Sequence, residues 1–412
     1  MQSSNVSKVY ILGGAQSDFA QNVSRSGGSL FSLFQSTVLA GLENSGLDPQ
    51  EVDVAHIGNF VADRFTEQGH LGGFFGHVHE GFYNTPAMRH EAACASGSMA
   101  LLSAMADIQC GRYSTACVLG IELMKNVSGL QAAENLRGAA WVDREMQDAT
   151  YLWPFAFSRL VDEYDERYGV EHAHLGAISK KNMNNAKLNP NSQTRGWNYS
   201  DASFTEDDEA NPVTEGRIRR FDCGQVTDGA AVVYLASEEA AAAYARRRGI
   251  SLDDLAYISG WGHVNSPMLM EEKLQRSKGQ DYVFPHLRKL FQSALNSAGL
   301  DLSELSGLEV HDCFNITEYM VLDHLGIAPP GNPSQLIDEG YTQIGGALPI
   351  NASGGLIGLG HPVGATGVRM LLDSQKQVTG TAGDYQIDNA RNMMTFNLGG
   401  AATTCASFVV SR

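Results

Sequence analysis

Cys94 stands in Ala93-Cys94-Ala95-Ser96-Gly97, a thiol among small residues just before a helical stretch at 97–108. A thiol at such a turn faces the unpaired N–H groups and the positive end of the helix, which favour the nucleophilic thiolate. The small neighbours leave room for a carbonyl carbon to approach. Read alone, a cysteine here is better explained by burial, because free cysteine is among the most buried residue types.

Three further motifs supply partners. Gly358-Leu359-Gly360-His361-Pro362-Val363-Gly364-Ala365-Thr366-Gly367 carries His361, an imidazole able to take a thiol proton and then stabilise the thiolate. The glycine spacing resembles a dinucleotide loop, but the His-Pro pair breaks the Gly-x-Gly-x-x-Gly geometry. His311-Asp312-Cys313-Phe314 ends an apolar strand, where sites collect in α/β sheets. Acyl transfer from a thioester to a carbon acid needs a base beyond the nucleophile. Cys313 is a candidate for that base, and His311 can donate toward an oxyanion. Asn397-Leu398-Gly399-Gly400 offers backbone N–H groups that no side chain shields.

His77 with His79, and His172 with His174, have no third ligand in register, so no metal site is expected. Cys110, Cys117, Cys223 and Cys405 lie in or beside apolar segments and read as packing residues. The cysteines lack metal-ligand spacing and come with no secretion signal, so reduced thiols are expected.

The elements that must position these residues repeat within the chain. Residues 41–51 and 294–304 share a helix end, a Gly that stops it and an Asp that opens the next turn. Each leads into an apolar strand, at 54–60 and at 308–314. Ser96-Gly97-Ser98-Met99-Ala100-Leu101-Leu102 parallels Thr366-Gly367-Val368-Arg369-Met370-Leu371-Leu372, and strands follow at 115–123 and 393–398. Each half also begins with a strand, at 9–13 and 256–261. The reading is two pseudo-equivalent α/β halves with mainly parallel strand pairing, 1–120 plus 221–250 and 251–412. A different segment at 121–220, rich in Asn, Asp, Glu and aromatics, reads as an inserted loop domain that covers a site. A pseudo-twofold pair of helix-start turns would set His361 beside Cys94.

A net charge of −17 argues against general nucleic-acid binding, which needs clustered Lys and Arg. It leaves open an anionic ligand on a local patch, and Arg217, Arg219 and Arg220 form the densest one. No apolar run approaches the length of roughly 18 residues that spans a membrane. Met1 to Lys8 is polar and the chain closes on Val409-Val410-Ser411-Arg412, so a cytoplasmic location is expected.

Together the four motifs resemble the thiolase superfamily from Val9 to Val410. Cys-Ala-Ser-Gly at 94–97 matches the nucleophile motif, and Asn351-Ala352-Ser353-Gly354-Gly355 through Gly360-His361-Pro362 to Gly367 matches the long Gly-His-Pro motif. Arg220-Phe221-Asp222-Cys223 through Thr227-Asp228-Gly229-Ala230-Ala231 resembles the return from the loop domain to the core. The commonest thiolases carry Asn-Glu-Ala-Phe and Cys-x-Gly where this chain has His311-Asp312-Cys313-Phe314 and Asn397-x-Gly399. Both changes are similar to the sterol carrier protein type.

The resemblance implies the thiolase fold, five layers α-β-α-β-α. It implies an acyl-CoA C-acyltransferase (3-ketoacyl-CoA thiolase or acetyl-CoA acetyltransferase) in lipid metabolism, with coenzyme A and acyl-CoA as substrates and no tightly bound cofactor. His361 would activate Cys94, Cys94 would carry the acyl group, and Cys313 would handle the proton on carbon. One oxyanion would be held by His361 and His311, the other by the N–H groups of Cys94 and Gly399. Arg217, Arg219 and Arg220 would meet the CoA phosphates. Members are homodimers or homotetramers, and some bind an OB-fold accessory protein. The competing readings are a thiolase-like retro-aldolase and a condensing acyltransferase with a non-CoA acceptor.

Overall fold

The computed structural model describes residues 7–412. Its main sheet has nine strands: β1 (Val9–Gln16), β2 (Val54–Gly58), β3 (Ala87–His90), β4 (Thr115–Glu122), β5 (Gly229–Ser237), β6 (Ala256–Asn265), β7 (Gly307–Val310), β8 (Asn392–Gly399) and β9 (Thr404–Ser411). The spatial order is β3-β2-β4-β5-β1-β6-β9-β8-β7. A pseudo-twofold axis passes between β1 and β6, which pair antiparallel at Val9↔Ile258 and Ile11↔Ala256. On the far side of β7, Ile350 bridges Leu308 in parallel, the place β3 takes beside β2.

The repeat read in the sequence has a conformational counterpart. Helix α1 (Leu30–Ser45) ends at Gly46, φ 65°, and the corresponding helix Pro285–Ala298 ends at Gly299, φ 69°. Both are left-handed caps that a side chain would strain. The next turns are closed by Asp48 with Glu51 and by Asp301 with Glu304, the same reciprocal cap in both halves.

Strand pairing departs from the parallel expectation. Parallel ladders join β2 to β3 and β4, and β8 to β7. β5 runs antiparallel to both β4 and β1, and β9 antiparallel to both β8 and β6. One reversed strand therefore sits inside each half and turns the pairings around it antiparallel. β5 reads Gly-Ala-Ala-Val-Val-Tyr-Leu-Ala-Ser and is buried on both faces, so its pattern carries no sign of direction.

The five expected layers are present. Ala230, Val232, Tyr234 and Ala236 of β5 pack outward against α1, while Ala231, Val233 and Leu235 pack inward. The inward side chains join Ile258, Met393, Ala406 and Phe408 of the other half around two central helices, α2 (Ser96–Gln109) and α3 (Thr366–Thr379). Two inner sheet faces thus share one helical layer. Within the insertion, the helices Leu152–Tyr168 and His172–Ala186 contribute Phe157, Leu160, Leu175 and Ile178 to the core on the outer side of the second half. Among the described residues no helix is long and apolar enough to cross a membrane.

Candidate active site

The two central helices start against each other. The turn Ala93–Ala95 precedes α2, and Ala93 is held at φ 50°, a left-handed conformation costly for a residue with a Cβ. Glu91 Oε1 accepts from Ala93 N at 2.6 Å, and Ser96 Oγ accepts from Ala92 N at 3.0 Å and donates to Ala93 O at 2.6 Å. These bonds fix Cys94 at the mouth of α2.

His361 lies before α3 at the pseudo-equivalent place. Its N–H donates to Thr227 Oγ1 at 2.9 Å and its Nδ1 meets Thr366 Oγ1 at 2.7 Å. His311, at the end of β7, crosses the His361 ring edge to face, with centroids 4.9 Å apart. Cys94 Sγ and one ring nitrogen each of His311 and His361 all lie within 4.8 Å of one another. In both imidazoles Nδ1 is engaged, and Nε2 is buried without a partner among the described residues. Nε2 is therefore the nitrogen free for chemistry at the sulfur. No other His, Cys, Asp or Glu group among the described residues has metal-ligand spacing.

The electrostatics differ from the sequence expectation of a thiolate. Burial pushes the Cys94 thiol up to about 12, helped by Glu122, while the N–H groups of Gly400 and of Cys94 itself pull the other way. Burial takes His361 down to about 3, with Arg369 adding to the effect. His311 is also held well below the usual imidazole range by burial and by His361. These directions favour a neutral thiol beside neutral imidazoles. Desolvation outweighs the helix dipole because the dipole is worth only about 0.3–2 kcal/mol.

Cys313 faces the same cavity, its thiol raised well above the usual range by burial, Cys94 and Asp312. Asp312 points the other way and holds the glycine-rich segment. It accepts from Leu356 N at 2.5 Å, Ile357 N at 3.3 Å and Asn182 Nδ2 at 2.7 Å. Gln193 and Thr194 lie in a polar run at 189–208 of the insertion, and their N–H groups donate to the carbonyls of Leu359 and Gly358. Part of that run is thus a buried support for the His361 segment.

Cys94, Cys313 and His361 open onto a cavity of about 300 Å³, walled by Leu136, Trp153, Phe157 and Phe314. Phe157 stacks on Phe314 with centroids 4.4 Å apart. Cys110 is exposed and so is not the packing residue read in the sequence, whereas Cys223 packs against the core and also lines this cavity. Gly399 packs on the Ala92 carbonyl, where a Cβ would stand 2.2 Å away. The N–H turned to the Cys94 sulfur is that of the next residue, Gly400, at φ 63°.

The arginine cluster does not converge. Arg217 pairs with Asp165 at 2.8 Å and Arg219 with Asp208 at 2.8 Å. Only Arg220 reaches the cavity wall. Thr366, Thr227, Gln193 and Glu122 were not read as site residues. Glu122 accepts from Asn59 Nδ2, Phe60 N, Val61 N and Gly364 N, joining the two halves beneath the site. The Thr in the Gly-His-Pro run was the one signal available for Thr366.

Residues 9–239 match the family described as thiolase, N-terminal domain, and residues 270–412 match the thiolase C-terminal domain-like family. Acetyl-CoA acetyltransferase of Methanothermobacter thermautotrophicus is 28% identical over 374 residues, 91% of this chain and 92% of that protein. Sterol carrier protein 2 of Rattus norvegicus is 29% identical over 326 residues, 77% of this chain, and the match spans 57% of that longer protein. The solved structure of an Ltp2-ChsH2(DUF35) aldolase superposes with a TM-score of 0.76 at 20% identity, covering 99% of both chains.

Proposed function

The chain belongs to the thiolase family, and from that premise we propose that it forms or cleaves 3-ketoacyl-CoA by ping-pong transfer through an acyl group on Cys94. The observation that carries this reading is the cluster of Cys94 Sγ and two imidazole nitrogens within 4.8 Å, on the wall of an apolar cavity. The enzyme is a thiolase-type acyltransferase; the roles of its residues follow from their surroundings.

His361 takes the Cys94 proton as the sulfur attacks the thioester carbonyl of the acyl donor in synthesis, expelling CoA, or the 3-keto carbonyl in cleavage, expelling the acetyl-CoA enolate. Both groups are neutral at rest, so proton transfer and attack occur together. Unpartnered Nε2 atoms on His361 and His311 suit an oxyanion on one side. The N–H groups of Cys94 and Gly400 suit the other, with Gly400 taking the place expected of Gly399. Cys313 is held protonated, the form that gives a proton to the enolate released when a 3-ketoacyl chain is cleaved. In the reverse direction it removes the α-proton of an acetyl-CoA.

Arg220, free of carboxylate partners among the described residues, is the arginine we assign to the CoA end. The segment 121–220 remains our proposed extent of the inserted domain. A homodimer is supported by the outer edge of β3, which no strand among the described residues covers and which pairing with a second copy would protect. The retro-aldolase reading, with an OB-fold partner, leaves Cys94 and Cys313 without a task. The deciding experiment is turnover of a panel of 3-ketoacyl-CoA esters with free CoA, beside the matching 3-hydroxyacyl-CoA esters. Thioester products support acyl transfer, and aldehyde or ketone release from 3-hydroxyacyl-CoA without thiolysis would replace it with retro-aldol cleavage.

A further inference from the structure

Asn397 sits where the commonest thiolases carry a second cysteine, and its amide is bonded in only one way. Its Nδ2 lies 3.1 Å from Cys94 O, its Oδ1 lies 2.7 Å from Ser98 Oγ, and Nδ2 also lies 2.9 Å from His311 Nδ1. A backbone carbonyl accepts and never donates, so the atom facing Cys94 O must be the amide NH2. Turning the amide over would set two oxygens against each other there. The second hydrogen of Nδ2 then points at His311 Nδ1, which must offer a lone pair. The Leu398 N–H, 3.4 Å from the same nitrogen, adds a weaker donor that no amide flip can alter. His311 is fully buried, and its Nε2 has no partner among the described residues.

We propose that Asn397, anchored by Ser98 and Cys94 O, is a positioning residue that locks His311 in the tautomer with the proton on Nε2. His311 is thereby a neutral hydrogen-bond donor at the sulfur, neither a base nor a metal ligand. Such a proton also disfavours a metal on the three potential ligand atoms within 4.8 Å of one another, since a protonated nitrogen has no lone pair to give. It also gives the loss of cysteine at position 397 a chemical role: a thiol is too weak a donor to hold the tautomer. The inference rests on the acyl-transfer reading only for what His311 donates to. The tautomer itself is a property of the resting enzyme.

The test is a ¹⁵N spectrum of histidine-labelled enzyme without substrate, with the His311 signals assigned by their loss in His311→Gln. The proposal expects protonated Nε2 and bare Nδ1. It expects Asn397→Asp, whose carboxylate accepts from Nδ1–H, to move the proton to Nδ1. That variant should lose kcat by about 100-fold, the effect of removing one oxyanion donor, with KM changed less than threefold. Asn397→Ala, which folds without a buried charge, should give a mixed tautomer and an intermediate kcat. A wild-type spectrum with the proton on Nδ1, or Asp and Ala variants with unaltered tautomer, would overturn the proposal. If the tautomer is as stated but no 3-ketoacyl-CoA turns over, the acyl-transfer reading fails and the positioning role stands.

Discussion

Gly97 and Gly367 meet where the two central helices begin. A Cβ on Gly97 would stand 2.7 Å from Gly364 O and 3.3 Å from Gly367 N, and one on Gly367 would stand 2.4 Å from Ser98 Oγ and 2.5 Å from Ser98 N. The contact sets how close the Cys94 and His361 turns come. Either Gly→Ala change overpacks backbone that cannot retreat, so each should cost about 1–3 kcal/mol and slow acylation of Cys94 more than it weakens CoA binding. Urea denaturation and single-turnover acylation check this, and an unshifted unfolding midpoint would remove the packing argument.

The neutral thiol makes a prediction about pH. With Cys94 pushed up to about 12 and His361 down to about 3, the resting enzyme should hold no thiolate–imidazolium pair at neutral pH. The rate of alkylation by iodoacetamide should keep rising through pH 9 and 10, as thiolate forms. A plateau reached below pH 8 would show a preformed ion pair instead.

Burial raises Glu122 to about 7, against an ordinary value of 4.5. A raised carboxyl pKa means that the folded state binds the proton more tightly. Its contribution to stability is full below pH 4.5 and is lost as pH climbs through 7. Wild type minus Glu122→Gln should therefore show a stability difference that shifts by up to about 3 kcal/mol between pH 4.5 and 7. Denaturation midpoints of the two proteins across that window give the measurement. A difference independent of pH would mean that the four N–H donors keep Glu122 ionised throughout.

The arginines should separate. Arg220→Ala should raise KM for CoA severalfold, because Arg220 lines the cavity. Arg217→Ala breaks a half-exposed pair with Asp165, worth less than about 1 kcal/mol, and should leave KM unchanged. Equal effects on KM would restore the cluster read from the sequence.

Much of the site was legible because its chemistry is written in short runs. Cys94, His311, Cys313 and His361 each stand in a motif whose neighbours restrict what the residue does, and the repeat at 41–51 and 294–304 located the pseudo-twofold. The rest depended on contacts between distant segments. The carboxylates that engage Arg217 and Arg219 are Asp165 and Asp208, and nothing local marks them as partners. The reversal of β5 and β9 left no trace, since strands buried on both faces lose alternation. Gly399 and Gly400 are both glycines, so only the turn of the backbone decides which N–H meets the sulfur. The raised thiol follows from burial, which the small residues around Cys94 did not disclose.

The two thiols should divide the reaction. Cys313→Ala should still acylate at Cys94 but lose at least about 100-fold in turnover, the scale of a missing general acid or base. Near-normal thiolysis by this variant would move the carbon proton to another residue.

The central claim is tested most directly on Cys94 itself. Enzyme incubated briefly with acetoacetyl-CoA, quenched in acid and digested should yield the peptide containing Cys94 with one added acetyl group, and Cys94→Ala should yield none. An acetyl adduct of equal yield on the Cys94→Ala protein, or a wild-type enzyme that turns over while its Cys94 peptide stays unmodified, would contradict the account.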